Sequence, residues 1–143
     1  MTAEAPRFAV VAATFYRELA DALIASASAA LGEHGEVDVV EVPGAFELPI
    51  VALQAAQSGR YAGIAAVGAV IRGETTHYDY VCGECARGLM DVGLRTGIPV
   101  GFGVLTVEDM DQARARAGGG KRDQGAHAAQ AVLALQRVRA ELA

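Results

Sequence analysis

Apolar runs of strand length alternate along this chain with stretches whose apolar positions recur every three or four residues. Phe8 to Ala13 (FAVVAA) is a continuous apolar run. Tyr16 to Leu31 follows, with Leu19, Ala20, Leu23, Ile24, Ala27 and Leu31 at the spacing of an amphipathic helix. Val37 to Val42 (VDVVEV) is strand-like and is broken by Pro43-Gly44. Phe46 to Ser58 then reads as a helix with Pro49 in its first turn, where a missing N–H costs nothing. Gly63 to Ile71 (GIAAVGAVI) is a second buried strand. A helix over about Thr76 to Thr96 carries Val81, Cys85, Leu89 and Val92 on one side and ends at Gly97-Ile98-Pro99. Val100 to Leu105 is a fourth strand and Val107 to Ala117 a short helix. After Gly118-Gly119-Gly120, a last helix carries Ala128, Ala131, Val132, Leu135 and Val138.

Strands that are apolar throughout and separated by helices predict a parallel sheet covered on both faces, an α/β fold. Right-handed crossovers place active residues at the carboxyl ends of such strands. Those ends are Thr14-Phe15, Pro43 to Glu47, Arg72 to His77 and Leu105-Thr106. With no repeat or linker, residues 1–143 read as one domain.

Composition narrows the function. A hydrophobic share of 52% against 20% charged argues for a packed core, and a net charge of -5 argues against nucleic-acid or anionic-membrane binding. The start, MTAEAPRFAVVAATF, lacks the pattern of a signal peptide, and no run of about 18 apolar residues suggests a membrane span. A cytoplasmic protein is the expectation. Of twelve basic residues eleven are arginine. The single lysine, Lys121, sits in a Gly-rich loop, which disfavours Schiff-base chemistry on a buried lysine.

The stretch RGETTHYDYVCGEC (Arg72 to Cys85) concentrates the candidate chemistry. Its Cys-x-x-Cys pair falls about a turn and a half into the predicted helix. A thioredoxin-like pair would stand at the helix start, where the dipole lowers the first thiol's pKa. His77, Cys82 and Cys85 offer three metal ligands without a fourth, so no metal is expected there. The cysteines read as packing. His77 stands at a strand-to-helix junction beside Gly73, Thr75 and Thr76. The glycine and the free N–H groups of a helix start suit a phosphate, and a histidine at the rim suits proton transfer. An ordinary surface or core histidine stays open on these features alone.

The strings VPGAFELP (Val42 to Pro49), GAVIRGETTHYDYV (Gly68 to Val81), GFGVLT (Gly101 to Thr106) and QARARAG (Gln112 to Gly118) resemble the lumazine synthase family. The similarity runs from about Phe8 to Val138 in the family's order and spacing. Together with the alternation above, it gives the expected fold: a three-layer αβα sandwich on a four-stranded parallel sheet of flavodoxin-like order 2-1-3-4, with room for an extra N-terminal strand. The resemblance implies condensation of 5-amino-6-(D-ribitylamino)uracil with L-3,4-dihydroxy-2-butanone 4-phosphate. The product is a lumazine, the immediate precursor of riboflavin. Phosphate and water are released without metal or organic cofactor.

Carried over motif by motif, the resemblance implies that Phe15 stacks on the pyrimidine. Ala45, Phe46 and Glu47 line the ribityl chain, and Val70 and Ile71 present backbone groups to the ring edge. Gly73, Glu74 and Thr75 hold the phosphate, Glu74 by its N–H, and His77 transfers protons. Family sites lie between subunits, so Phe102 and a phosphate-clamping Arg116 are expected from a neighbour. After that arginine the family reads Asn-Lys-Gly-x-Glu, whereas this chain reads Asp123-Gln124-Gly125-Ala126-His127. Gln124 thus replaces a cation, and Lys121 or Arg122 stand as candidates to replace its charge. The resemblance further implies a homo-oligomer, a pentamer or pentamer pair ahead of a sixty-subunit shell because the arm before Phe8 is short. It leaves room for association with riboflavin synthase. A weakly active paralogue, binding flavin or lumazine or forming a shell, is the alternative.

Overall fold

The computed structural model describes residues 5–143. Four strands, β1 (Arg7–Ala13), β2 (Glu36–Val42), β3 (Gly63–Ile71) and β4 (Val100–Val107), form one parallel sheet in the order β2-β1-β3-β4. The helices are α1 (Arg17–Gly32), α2 (Leu48–Gln57), α3 (His77–Thr96), α4 (Met110–Ala117) and α5 (Gln124–Leu142). The expected order 2-1-3-4 is the one observed. An additional strand ahead of β1 would involve residues 1–4, which lie outside the described residues.

Period-two alternation along the two central strands divides the core into two layers. Phe8, Val10 and Ala12 of β1 and Ala65, Val67 and Ala69 of β3 pack with Leu19, Leu23, Leu31, Ala113, Ala128 and Val132, beneath α1, α4 and α5. Ala9, Val11 and Ala13 with Ile64 and Ala66 pack with Leu48, Ala52, Cys85, Leu89 and Val92, beneath α2 and α3. Central strands buried on both faces need apolar residues at every position, hence the unbroken runs. Edge strand β2 is wetter, with Glu36, Val39 and Glu41 exposed.

Glycine in β4 has a packing reason. A Cβ on Gly101 would collide with the Ala128 carbonyl, and one on Gly103 would stand 2.9 Å from the Gln124 carbonyl oxygen. These two glycines let α5 lie directly on β4, which fixes where its first turn sits.

Two boundaries depart from the sequence expectation. The helix expected from Phe46 begins at Leu48, because Ala45–Glu47 forms a 3₁₀ turn with Glu47 N–H donating to the Gly44 carbonyl at 3.2 Å. The helix expected from Val107 begins at Met110. Val107 instead extends β4, paired with Ile71, and its carbonyl accepts the Arg72 N–H at 2.9 Å. Asp109 then caps α4 by accepting the Gln112 N–H at 2.8 Å, while Gln112 Oε1 accepts the Glu108 N–H at 2.8 Å.

Candidate active site

The carboxyl ends of β1, β2 and β3 bring three exposed segments to one edge of the sheet. The first is anchored where Thr14 N–H donates to the Val42 carbonyl at 3.0 Å, tying the end of β1 to the end of β2. Phe15 follows with 76% of its surface exposed, edge-on to Tyr16 at 5.0 Å between centroids. Behind it Arg17 grips Glu41 through two hydrogen bonds of 3.0 and 2.7 Å and reaches Asp21 at 2.9 Å. The Arg17 hydrogen bonds, assisted by its charge, hold the Glu41 carboxyl below its ordinary range.

The second segment is the turn after β2. Ala45 is buried and Phe46 is 55% exposed. Glu47 Oε1 accepts the Gly44 N–H at 2.9 Å, so one carboxylate oxygen already holds its own turn.

The third segment follows β3. Val70 and Ile71 are half-buried and paired with Thr106 and Val107. Gly73, Glu74, Thr75 and Thr76 are exposed. Among the described residues their four backbone N–H groups have no intramolecular acceptor. His77 opens α3, its N–H donating to Thr75 Oγ1 at 3.3 Å, and its ring is exposed. A run of unpaired N–H groups leading into a 20-residue helix offers donors suited to an anion.

Phe102 and Arg116 lie elsewhere. Phe102 is the third residue of edge strand β4, level with Ala66 at the middle of β3. It faces an apolar groove of about 950 Å³ between α3 and α5, with Leu89, Met90, Leu94, Leu135 and Val138. Arg116 is in the last turn of α4, in the layer opposite α3, and its guanidinium donates to the Gln112 carbonyl at 2.9 Å. Gln124 opens α5, with Nε2 3.4 Å from the Arg122 carbonyl oxygen and 3.3 Å from His127 Nδ1. Lys121 and Arg122 are exposed in the preceding loop.

Two residues carry more of the architecture than their sequence signal suggested. Asp123 is buried; one carboxylate oxygen caps Ala126 N–H at 3.2 Å and the other accepts the Gly119 N–H at 3.1 Å. It thereby folds the glycine loop back onto the start of α5. An aspartate just ahead of a helical run is a readable cap signal. Arg72 gathers partners from two other segments, Glu108 and the Tyr78–Asp79 turn, and no local pattern reveals that. Cys85 packs in the core, fully buried among Leu89 and Val92, and burial pushes its thiol up to about 12, whereas Cys82 is half-buried. A thiol held protonated at neutral pH is a poor nucleophile and a poor metal ligand.

No helix among the described residues is long and apolar enough to cross a membrane. Residues 5–140 match the sequence model of the 6,7-dimethyl-8-ribityllumazine synthase family. Curated proteins of that name are similar along nearly their whole length. The chain is 46% identical to one from Nitratidesulfovibrio vulgaris (strain DSM 19637 / Miyazaki F) over 140 residues, covering 95% of this chain and 90% of the relative. It is 47% identical over 133 residues to one from Xanthomonas euvesicatoria pv. vesicatoria, covering 90% and 86%. Likeness of this extent places the chain in the 6,7-dimethyl-8-ribityllumazine synthase family.

Proposed function

We propose that this chain condenses 5-amino-6-(D-ribitylamino)uracil with L-3,4-dihydroxy-2-butanone 4-phosphate at the loop cluster described above, releasing the lumazine, phosphate and water. The observation that carries the reading is the exposed Gly73–Thr76 segment with its four unpaired N–H groups beside His77. A phosphate group takes those donors and the positive end of α3. The Glu74 carboxylate turns away from such a ligand and contributes only its N–H. His77 then stands next to the leaving phosphate, where amine attack on a ketone and loss of phosphate both require proton transfer. Phe15 supplies a face for the pyrimidine. Ala45, Phe46 and Glu47 flank the ribityl chain, with the second Glu47 oxygen as acceptor, and Val70 and Ile71 border the ring. The substrate amine is itself the nucleophile, in keeping with a chain whose one lysine is exposed.

The assembly follows from where apolar surface is left uncovered. On the β2 flank Phe15, Val39, Phe46 and Ile50 are exposed; on the β4 flank Met90, Leu94, Phe102, Leu135, Val138 and Leu142 are. Two unlike apolar flanks at opposite edges of one sheet suit head-to-tail contacts, which close into rings. Such a contact carries Phe102 of one subunit towards Phe15 and Phe46 of the next, and brings Arg116 to complete a neighbour's phosphate site. A homopentamer or a pair of pentamers, each subunit one domain and working in the cytoplasm, is the form this reading takes. Association with riboflavin synthase, which consumes the product, fits it.

Mixing purified protein with both substrates and following lumazine absorbance and phosphate release tests the activity. Catalysed turnover with equal amounts of both products is the expected result. A rate equal to that of the uncatalysed reaction, with lumazine still bound, would support the binding module instead.

The loop after Arg116 is a second point of test. Gln124 carries no charge and its amide is engaged with His127, so the added cation is assigned to Lys121 or Arg122. Replacing both by alanine raises the KM for the butanone phosphate by about tenfold, the loss of one charge-assisted hydrogen bond. Unchanged kinetics in the double variant would remove that assignment.

A further inference from the structure

The exposed cradle raises the question of what holds its shape. Gly73 to Thr76 make no backbone hydrogen bond through their N–H groups, and nothing lies within 4 Å of the position a Gly73 Cβ would take. The segment is therefore defined by its two ends. The residue before it is Arg72 and the first residues after His77 are Tyr78 and Asp79. Arg72 spans that opening. Its guanidinium carbon lies 4.3 Å from the Tyr78 ring centroid, and NH2 is 3.4 Å from Asp79 Oδ1. Its Nε meets both oxygens of Glu108, at 3.0 and 3.2 Å, in the turn that leads to α4. Its backbone N–H is fixed to the Val107 carbonyl.

We propose that Arg72 is a positioning residue: its guanidinium clasps the base of the 73–77 loop and sets the spacing of the N–H groups that receive the phosphate. The proposal rests on the phosphate reading of that loop. Exposed ion pairs contribute little to global stability, so a merely structural role would leave little trace on the fold. A loop that must be ordered at each binding event loses affinity, because the ordering cost is then met by the ligand. Arginine suits the task, since one planar group can stack on an aromatic ring while its edge meets two carboxylates; lysine cannot do both.

The competing role is direct contact between the Arg72 charge and the phosphate. The two differ in the sign of one experiment. In the double variant Asp79→Ala, Glu108→Ala, two negative charges near the site disappear and the guanidinium loses both acceptors. Direct contact and simple electrostatics both predict tighter phosphate binding. A clasp predicts weaker binding, since the guanidinium loses the partners that orient it.

The test measures inhibition by inorganic phosphate and the two KM values, with thermal unfolding alongside. Arg72→Met raises the phosphate inhibition constant and the KM for the butanone phosphate by about tenfold, with the KM for the pyrimidine changed less than about twofold. Arg72→Lys falls between, and the double acidic variant weakens phosphate in the same direction. Tighter or unchanged phosphate binding in the double variant overturns the proposal. So does an Arg72→Met protein whose two KM values and unfolding midpoint shift together. Gly73→Ala and Thr75→Val keep the two levels apart. If neither alters phosphate inhibition, the cradle itself is wrong and the clasp goes with it. If they do and Arg72→Met does not, the clasp alone is wrong.

Discussion

Exchanging His77 for asparagine lowers kcat by roughly 10²- to 10⁴-fold, the range over which a positioned acid–base group contributes, while both KM values stay close to wild type. The His77 ring is exposed and its residue opens α3, so the exchange removes no core packing and the unfolding midpoint stays in place. Asparagine retains a hydrogen-bond donor but cannot exchange a proton near neutral pH. Turnover does not fall to the uncatalysed rate, because the attacking amine belongs to the substrate and the cradle and aromatic faces still align the reactants. Initial rates of lumazine formation, with both substrates varied, measure this. A kcat within a few fold of wild type would take proton transfer away from His77.

Introducing charge on the β4 flank lowers turnover steeply without unfolding the subunit. Leu94 is 69% exposed and Leu135 is 47% exposed in the isolated chain, so Leu94→Asp with Leu135→Glu leaves the core intact. In a head-to-tail assembly the same positions are desolvated, and unpaired carboxylates there are costly. Light scattering should show a species much smaller than the wild-type assembly, and activity should drop by roughly a hundredfold or more, since in the proposed ring each site loses Phe102 and Arg116 of its neighbour. A complementation experiment sharpens the point. His77→Asn and Arg116→Ala proteins, each strongly impaired alone, recover about a quarter of wild-type activity when unfolded together and reassembled in equal amounts, if every site takes one residue from each of two subunits at random. No recovery would place both residues in the same subunit's site. Retained assembly and activity in the charged variant would move the seam away from the β4 flank.

The elements themselves were legible because local physics decides them. FAVVAA and the first seven residues of GIAAVGAVI are buried on both faces, and only strands at the centre of a covered parallel sheet require that. The boundary at Phe46 shifted because of a local 3₁₀ turn, and the one at Val107 because a longer-range bond overrides the local pattern. Val107 reads as a helix start, yet its pairing with Ile71 and its bond to Arg72 keep it in β4. The Asp109-x-x-Gln112 cap marks the true start and was present to be read. Asp123 had the same kind of signal, and its second oxygen, turned back to Gly119, did not.

By itself the amino-acid sequence determined the α/β class, the identity of the loops that carry chemistry and the family to which the chain belongs. Apolar periodicity, glycine and proline punctuation, and a long motif are all local and survive without coordinates. The fold alone decided which residues act together. It took Cys85 into the core and left the Gly73–Thr76 donors unpaired at the sheet edge. It put Phe102 on the flank opposite Phe15, and it drew Glu108, Tyr78 and Asp79 around Arg72. The Arg72–Glu108 pair alone joins residues 36 positions apart, and it exists only once parallel crossovers have brought neighbouring strands to a common edge.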